Sequence, residues 1–414
     1  MPAITRRAAT LLPFLLPIAA RAENGPVLIG GTYPLSGAVA SAGAEMRAAL
    51  EVGQDIVNNA HPELKDLPLG PTAGLPNLDG RKVQVILADH QGNPATAQSQ
   101  TLRLITQEHV VAMVGAYQSS CTLTSSAVAE RYGIPFLAAE SASPNLTARG
   151  YKWFFRTTPI GTDFGITYSD FLVDLRKQGK KADRVTVVNE NTEYGTSTGD
   201  AIIAAFKEHN LQLASRIPYN ANSADVSAEV LQMKQTNPDV AIFISYTSDS
   251  ILFLKTMKNL AWKPSIVIGD DSGFSDAAFV KAVGDIAQGA INRSAFGIGK
   301  PGSSSNIVNA MYKVKTGNDM DDTSARCMQG FLVLCDAINR AGSTEPAKIQ
   351  AALVATDLKP DQLMIGYKGV KFNAQGQNEL ASTLLVQLRG SAYVPVWPEA
   401  SATAPLELPF KGWA

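Results

Sequence analysis

Two short stretches of the chain put hydroxyl groups where an anion can be held. Gly115-Ala-Tyr117-Gln118-Ser119-Ser120-Cys121-Thr122 follows the apolar run 110–115 and precedes a helical pattern at 122–132. Free N–H groups and the positive end of the helix dipole meet at such a junction, and serine hydroxyls can add to them. A carboxylate can be bound there without lysine or arginine, although serines at this place also serve as helix caps. Glu140-Ser141-Ala142-Ser143-Pro144 follows the next strand-like run, 134–138. Neighbouring strand ends of one parallel sheet converge on one crevice, so Ser119, Ser120, Ser141 and Ser143 are predicted to face a common space. Further on, Tyr194, Tyr246 and Asp270-Asp271 also follow strand-like runs. A carboxylate there would pair with an ammonium group, and the tyrosines would cover an apolar side chain. Turn chemistry accounts for Asp270 and Asp271 as well, although Asp276 is the better placed helix cap.

Two motifs resemble reaction centres and fail on context. Gly195-Thr-Ser197-Thr-Gly199 fits the nucleophile elbow G-x-S-x-G, which must stand directly at a strand end. Here residues 189–194 intervene. The downstream histidine, His209, lies about 18 Å along the same helical segment. Gly297-Ile-Gly299-Lys-Pro-Gly302 fits G-x-G-x-x-G, but Pro301 and the serines after it describe a loop. No Walker sequence, acidic metal cluster or Cys–His pair accompanies them, so neither a cofactor nor a metal nor an enzymatic activity is expected. A hydrolase using Ser197 or Cys121 is the enzymatic alternative.

The elements needed to position the hydroxyls alternate along the chain. Strand-like runs at 27–32, 83–88, 110–115 and 134–138 interleave with helical patterns at 42–59, 95–108 and 122–132. A second set follows: 185–188, 211–217, 240–245 and 265–268 interleave with 197–209, 225–235, 248–260 and 276–283. This rhythm implies parallel sheets covered on both faces. The proline-rich segment 61–80 reads as a surface loop. The last third carries helices at 307–316, 324–341 and 346–355 with strand-like runs at 370–372 and 383–388, too little for a third sheet domain. It should complete the first two. The fold expected is α/β, two doubly wound lobes with a ligand cleft between them.

Of 414 residues, 45% are hydrophobic and 18% charged, and 36 Lys+Arg balance 37 Asp+Glu. That composition describes a globular chain of two or three domains and argues against a nucleic-acid partner, which requires a basic face. Arg6-Arg7, the apolar stretch 8–20 and Ala20-Arg21-Ala22 are the three parts of a secretory signal peptide over residues 1–22. Export by the twin-arginine route is the variant. Cys327 and Cys335 lie about 12 Å apart on one helix, too far for a disulfide, so three reduced, mostly buried thiols are expected.

Read in order, the signal segment, Ile29-Gly-Gly-Thr-Tyr-Pro-Leu-Ser36-Gly, Val114-Gly-Ala-Tyr-Gln-Ser-Ser-Cys-Thr, Ile134-Pro-Phe and Ser143-Pro-Asn-Leu-Thr147 resemble the type I periplasmic binding proteins. Phe155-Arg-Thr-Thr-Pro, Asn191-Thr-Glu-Tyr194-Gly and Ile268-Gly-Asp continue the resemblance. The branch is that of leucine/isoleucine/valine-binding proteins, which feed ABC transporters. The resemblance implies two lobes joined by three crossover strands, with lobe I at 23–145 and 293–378 and lobe II at 146–292 and 379–414. It further implies a periplasmic, monomeric protein that hands a small molecule, an amino acid or relative, to a membrane permease. By motif position, Ser119 and the loop Ser141-Ala142-Ser143 would hold the α-carboxylate, with Tyr117, Gln118 and Ser120 beside them. Asp271 would hold the α-amine, and Tyr194 and Tyr246 would form the second lobe's aromatic wall. The chain departs from the family in having Ser41-Ala42-Gly43 where many members place an aromatic, Ala142 in place of a threonine, and Asp in place of Glu at 271. These departures touch the branched-aliphatic preference more than the amino-acid class. The rival readings are a cytoplasmic ligand-sensing regulator of the same fold and a binder of urea, short amides or aromatic acids.

Overall fold

The computed structural model describes residues 25–413, and the signal segment read at 1–22 lies outside them. The first lobe is built from β1 (Val27–Tyr33), α1 (Ala40–Asn58), β2 (Val83–Asp89), α2 (Pro94–Thr106), β3 (Ala112–Gly115), α3 (Ser119–Tyr132), β4 (Phe136–Ala138), α4 (Asn145–Ala148) and β5 (Phe154–Arg156). Its five strands run parallel in the order β2-β1-β3-β4-β5. That order places the carboxyl ends of β1, β3 and β4 side by side.

The chain then enters the second lobe: α5 (Gly161–Lys177), β6 (Arg184–Glu190), α6 (Glu193–Glu208), β7 (Gln212–Tyr219), α7 (Ser227–Thr236), β8 (Val240–Ile244), α8 (Thr247–Asn259), β9 (Ile266–Gly269), α9 (Ser272–Ser275), α10 (Ala277–Val283) and β10 (Ile291–Ser294). It returns through α11 (Ser304–Thr316), α12 (Asp322–Ala341), α13 (Pro346–Val354), β11 (Asp357–Leu358) and β12 (Val370–Lys371). It finishes in the second lobe with β13 (Leu384–Arg389) and β14 (Ala392–Trp397). The second sheet has the order β14-β13-β10-β9-β8-β6-β7, with β13 and β14 antiparallel and the rest parallel.

Three passages between the lobes result, after β5, after β10 and before β13. The first falls later than the expected boundary at 145/146, because Phe154–Arg156 pairs with β4 as the fifth strand. Likewise residues 293 and 294 of β10 pair with β13, so they belong to the second sheet and not to the first lobe. The segment 61–80 also differs from its expectation as a surface loop. It forms two 3-10 turns, Pro62–Leu64 and Pro76–Leu78, and buries Leu64, Leu67, Leu69 and Leu75 in the core of the first lobe.

α12 is the first lobe's central support. Nearly every residue from Asp322 to Ile338 is buried, and the helix packs along α1. Its Gly330 lies so close to β4 that an added Cβ would stand 2.5 Å from the Ala139 Cβ. Asp321 caps it by accepting from the Ser324 amide, and Gly342 ends it in the left-handed region. No helix among the described residues is long and apolar enough to cross a membrane.

Candidate functional site

The turn between β3 and α3 is held from below. The Ala116 amide donates to Thr122 Oγ1 (2.9 Å), and His90 Nε2 lies 3.0 Å from the Ala116 carbonyl. His90 Nδ1 accepts from the Gly92 amide, which leaves the proton on Nε2, and burial pushes the imidazole pKa down. Ser141 Oγ donates to the Tyr117 carbonyl (2.9 Å) and therefore accepts from Thr122 Oγ1 at 2.6 Å. Its proton is committed to the turn. Ser143 Oγ donates across the lobes to Glu193 Oε1 (2.6 Å), which Asn145 Nδ2 also contacts at 2.9 Å.

Ser119 differs from both. Its Oγ accepts from the Ser143 amide (3.3 Å), its hydroxyl proton has no protein acceptor, and it opens α3. The amides of Ser119 and the half-buried Ser120 lie in that first turn, where a helix has no acceptors of its own. Gln118 is the N-cap residue, and its buried side-chain carbonyl accepts no hydrogen bond. Ala142 contributes its carbonyl, which accepts from the Gly161 amide (3.1 Å). Among the described residues of this turn, the donors with spare capacity are thus Ser119 and two backbone amides.

The second lobe closes over this turn. Tyr117 Oη lies 2.9 Å from Ser272 Oγ, next to Asp271, so the two halves of the expected site share one seam. Tyr246 stands between Tyr117 and Tyr194, with ring centroids 5.9 and 5.6 Å away. Tyr194 lies in the first turn of α6, and its hydroxyl donates to the Asp270 carbonyl (2.6 Å) and carboxylate (2.9 Å). All three rings are buried, which raises their phenol pKa values. Ser41, at the departure noted in the sequence, donates across the seam to Asp276 Oδ2 at 2.6 Å.

Asp271 was expected to await an ammonium, and the structure gives its carboxylate other partners. Oδ1 accepts from Ser275 Oγ (2.7 Å), while Oδ2 is met by Arg293 Nη2 (3.2 Å) and by Arg326 Nη2. Burial alone would raise the pKa of this carboxyl, but the two guanidiniums outweigh it and hold the value below the usual carboxylate range. Arg326 also donates to the Glu140 carbonyl (3.1 Å) and Thr158 Oγ1 (2.8 Å) and pairs with Asp322 (2.8 Å). Arg293 pairs with Asp270 (3.2 Å) and lies 3.6 Å over the Phe164 ring. Sequence reasoning missed both arginines. A legible signal existed for Arg326: with Asp322 it forms an i, i+4 pair on an otherwise apolar helix, where buried charges must be partnered.

The motifs rejected as catalytic lie as their context requires. Ser197 is inside α6 and donates to the Glu193 carbonyl (2.6 Å). Gly299 and Gly302 occupy turns with φ of 74° and 84°. All three cysteines are free and buried.

With this geometry in view, comparison with known proteins decides the family. The periplasmic binding protein family profile matches residues 26–389. The chain belongs to the periplasmic binding protein family. Among curated relatives, this family member is 30% identical to "Leu/Ile/Val-binding protein homolog 8" of Brucella abortus (strain 2308), over 91% of this chain and 92% of that protein. Among solved structures, it is similar to the branched-chain amino acid transporter substrate-binding protein LivJ of Streptococcus pneumoniae in complex with isoleucine (19% identity, TM-score 0.75, 89% of this chain and 97% of the other). It is also similar to an ABC transporter solute-binding protein of R. palustris in complex with benzoate (16% identity, TM-score 0.74, 92% and 98%). At these identities the structural likeness is one of fold: the two-lobed α/β architecture of the type I periplasmic binding proteins.

Proposed function

We propose that this protein is the exported, non-enzymatic solute-binding component of an ABC importer. It closes its lobes around a small carboxylate, an amino acid or close relative, and presents it to a membrane permease. The observation that carries the reading is the spare donor capacity at the head of α3. The Ser119 hydroxyl and the first amides of the helix follow Tyr117, whose ring lies 5.9 Å from Tyr246 of the second lobe and whose hydroxyl meets Ser272 across the seam. Closure removes water from those donors, which strengthens a charge-assisted bond to a carboxylate. The Leu/Ile/Val-binding relatives support the amino-acid class and a periplasmic location.

One observation favours a second reading. Asp271, the residue that would hold an α-amine, is already paired with two arginines. A ligand with a carboxylate and no ammonium group, such as an aromatic acid, makes no demand on it, and the fold neighbour in complex with benzoate supports this reading.

A thermal-shift screen followed by calorimetry separates these readings. Isoleucine and other amino acids, benzoate, acetamide and urea are offered to the mature protein, and a binder raises the melting temperature by mass action. Stabilisation by amino acids supports the first reading, and stabilisation by benzoate alone supports the second. A protein that responds only to urea or acetamide rejects the carboxylate site.

A further inference from the structure

Away from the arginine pairs, the lobes meet through carboxyl groups. Glu45 lies on α1 and Asp321 caps α12, both in the first lobe, while Asp276 caps α10 in the second. Ser41 of α1 donates to Asp276 Oδ2 at 2.6 Å, and the Ala277 amide of α10 lies 3.3 Å from Glu45 Oε1. These bonds exist only while the lobes are together. Glu45 Oε2 and Asp321 Oδ2 are buried and accept from no donor. From α11, the Tyr312 hydroxyl donates to the Glu45 carbonyl, and from the β3–α3 turn Tyr117 adds a neutral phenol beside Asp276, Asp271 and Asp321. Among the described residues no cation pairs with any of the three acids, and Arg326 on the same helix as Asp321 is engaged by Asp271 and Asp322.

Three converging carboxylates with no counter-charge oppose the contact that brings them together. We propose that Glu45, Asp321 and Asp276 form a proton-operated latch, in which closing the lobes takes up protons at this seam and raising the pH opens the cleft. Burial and the neighbouring acids push Glu45 well up, and Asp321 up to about 7, in the closed form. With the lobes apart, Asp276 is withdrawn and its push is lost, so both first-lobe acids move back down. The direction follows from linkage: a group whose pKa rises on closure favours closure fully at low pH and progressively less as the pH climbs to its raised value. Closure therefore weakens as the pH climbs through the range in which these acids titrate, which reaches at least about 7.

The latch is independent of the ligand, so its failure would leave the binding reading untouched. The three native thiols are buried, which allows spin labels to be placed at Gln98→Cys on α2 and Gln232→Cys on α7 of the full mature chain. The inter-lobe distance distribution is then read by pulsed electron resonance from pH 4.5 to 8.5, without ligand. The closed-to-open ratio should fall as the pH rises towards about 7, by up to about tenfold per pH unit for each linked proton. Asp276→Asn should flatten the profile to less than about twofold over the same range. Asp321→Asn, which retains an oxygen to cap α12, should do likewise and serves if the first variant does not fold. A pH-independent ratio in the unmodified seam, or a neutral variant that keeps the full slope, overturns the latch.

Discussion

Arg326, on a helix of the first lobe, donates into the carboxylate of Asp271 in the second. Both side chains are almost wholly excluded from solvent, and neither is close to the other in sequence. Removing one partner of such a pair leaves a buried charge with too little compensation.

Arg326→Met should therefore lower unfolding stability by about 3–5 kcal/mol in guanidinium denaturation, even though the replacement fills similar space. A loss below about 1 kcal/mol would mean that Arg293 alone satisfies Asp271. The same pair sets an acid dependence. Because the Asp271 value is depressed in the folded protein, its contribution is present above the ordinary carboxylate range and is lost as the pH falls below about 4. Arg326→Met should shrink that acid-side slope, measured as the denaturation midpoint against pH.

Ser119 and Ser141 look alike in sequence and should separate in experiment. Ser119→Ala removes a hydroxyl whose proton has no acceptor but whose oxygen accepts a long bond from the buried Ser143 amide, so folding stability should fall by about 0.5–1.5 kcal/mol. Affinity for a carboxylate ligand should fall roughly tenfold, the value of one charged hydrogen bond. Ser141→Ala orphans the Tyr117 carbonyl inside the turn and should destabilise the fold by about 1–3 kcal/mol. Calorimetry with the carboxylate that emerges from the ligand screen, alongside denaturation of each variant, checks both.

Gly330 is a test of packing alone. A methyl group there would meet the Ala139 Cβ at 2.5 Å and Leu137 Cδ2 at 2.9 Å. Gly330→Ala should cost about 1–3 kcal/mol in spite of its better helix propensity, because α12 cannot move off the sheet without unpacking α1. A stabilised variant would show that the helix has room.

The thiols give a simple chemical readout. Burial pushes Cys121 up to about 12 and Cys327 and Cys335 well above the ordinary thiol value. Ellman's reagent at pH 8 should titrate none of the three in the native protein and all three after denaturation. Rapid reaction of one thiol in the native state would place it at the surface.

The alternation of β-branched runs and helical stretches was enough to anticipate two lobes, because a strand buried on both faces reads as a short apolar run. What escaped that reading has a physical reason in each case. β5 is three residues long, and β10, Ile291–Ser294, carries Asn292, Arg293 and Ser294, which are buried only because partners from other elements satisfy them. α5 begins with Gly161-Thr-Asp-Phe-Gly165, a loop-like opening that conceals the apolar face Phe164, Tyr168, Phe171, Leu172 and Leu175. At the site, strand ends pointed to Tyr117, Ser119, Tyr194 and Tyr246, since position along a parallel strand fixes which end faces the cleft. The partners of Asp271 were not legible in that way. Arg326 is 55 residues distant on another element, and only the folded chain brings it there.

The three crossings between lobes also bear on how the molecule is made. Neither lobe is a continuous stretch of chain. The face of α1 that α12 covers stays bare until Asp322–Ala341 has been synthesised, and the second sheet lacks two strands until Ala392–Trp397 has followed. Emerging N-terminus first, the polypeptide cannot finish one half and then begin the next. The first half closes only once α12, α13 and β12 have been made, and the second only when β13 and β14 follow, so a nascent chain cut short before α12 is left with two incomplete cores.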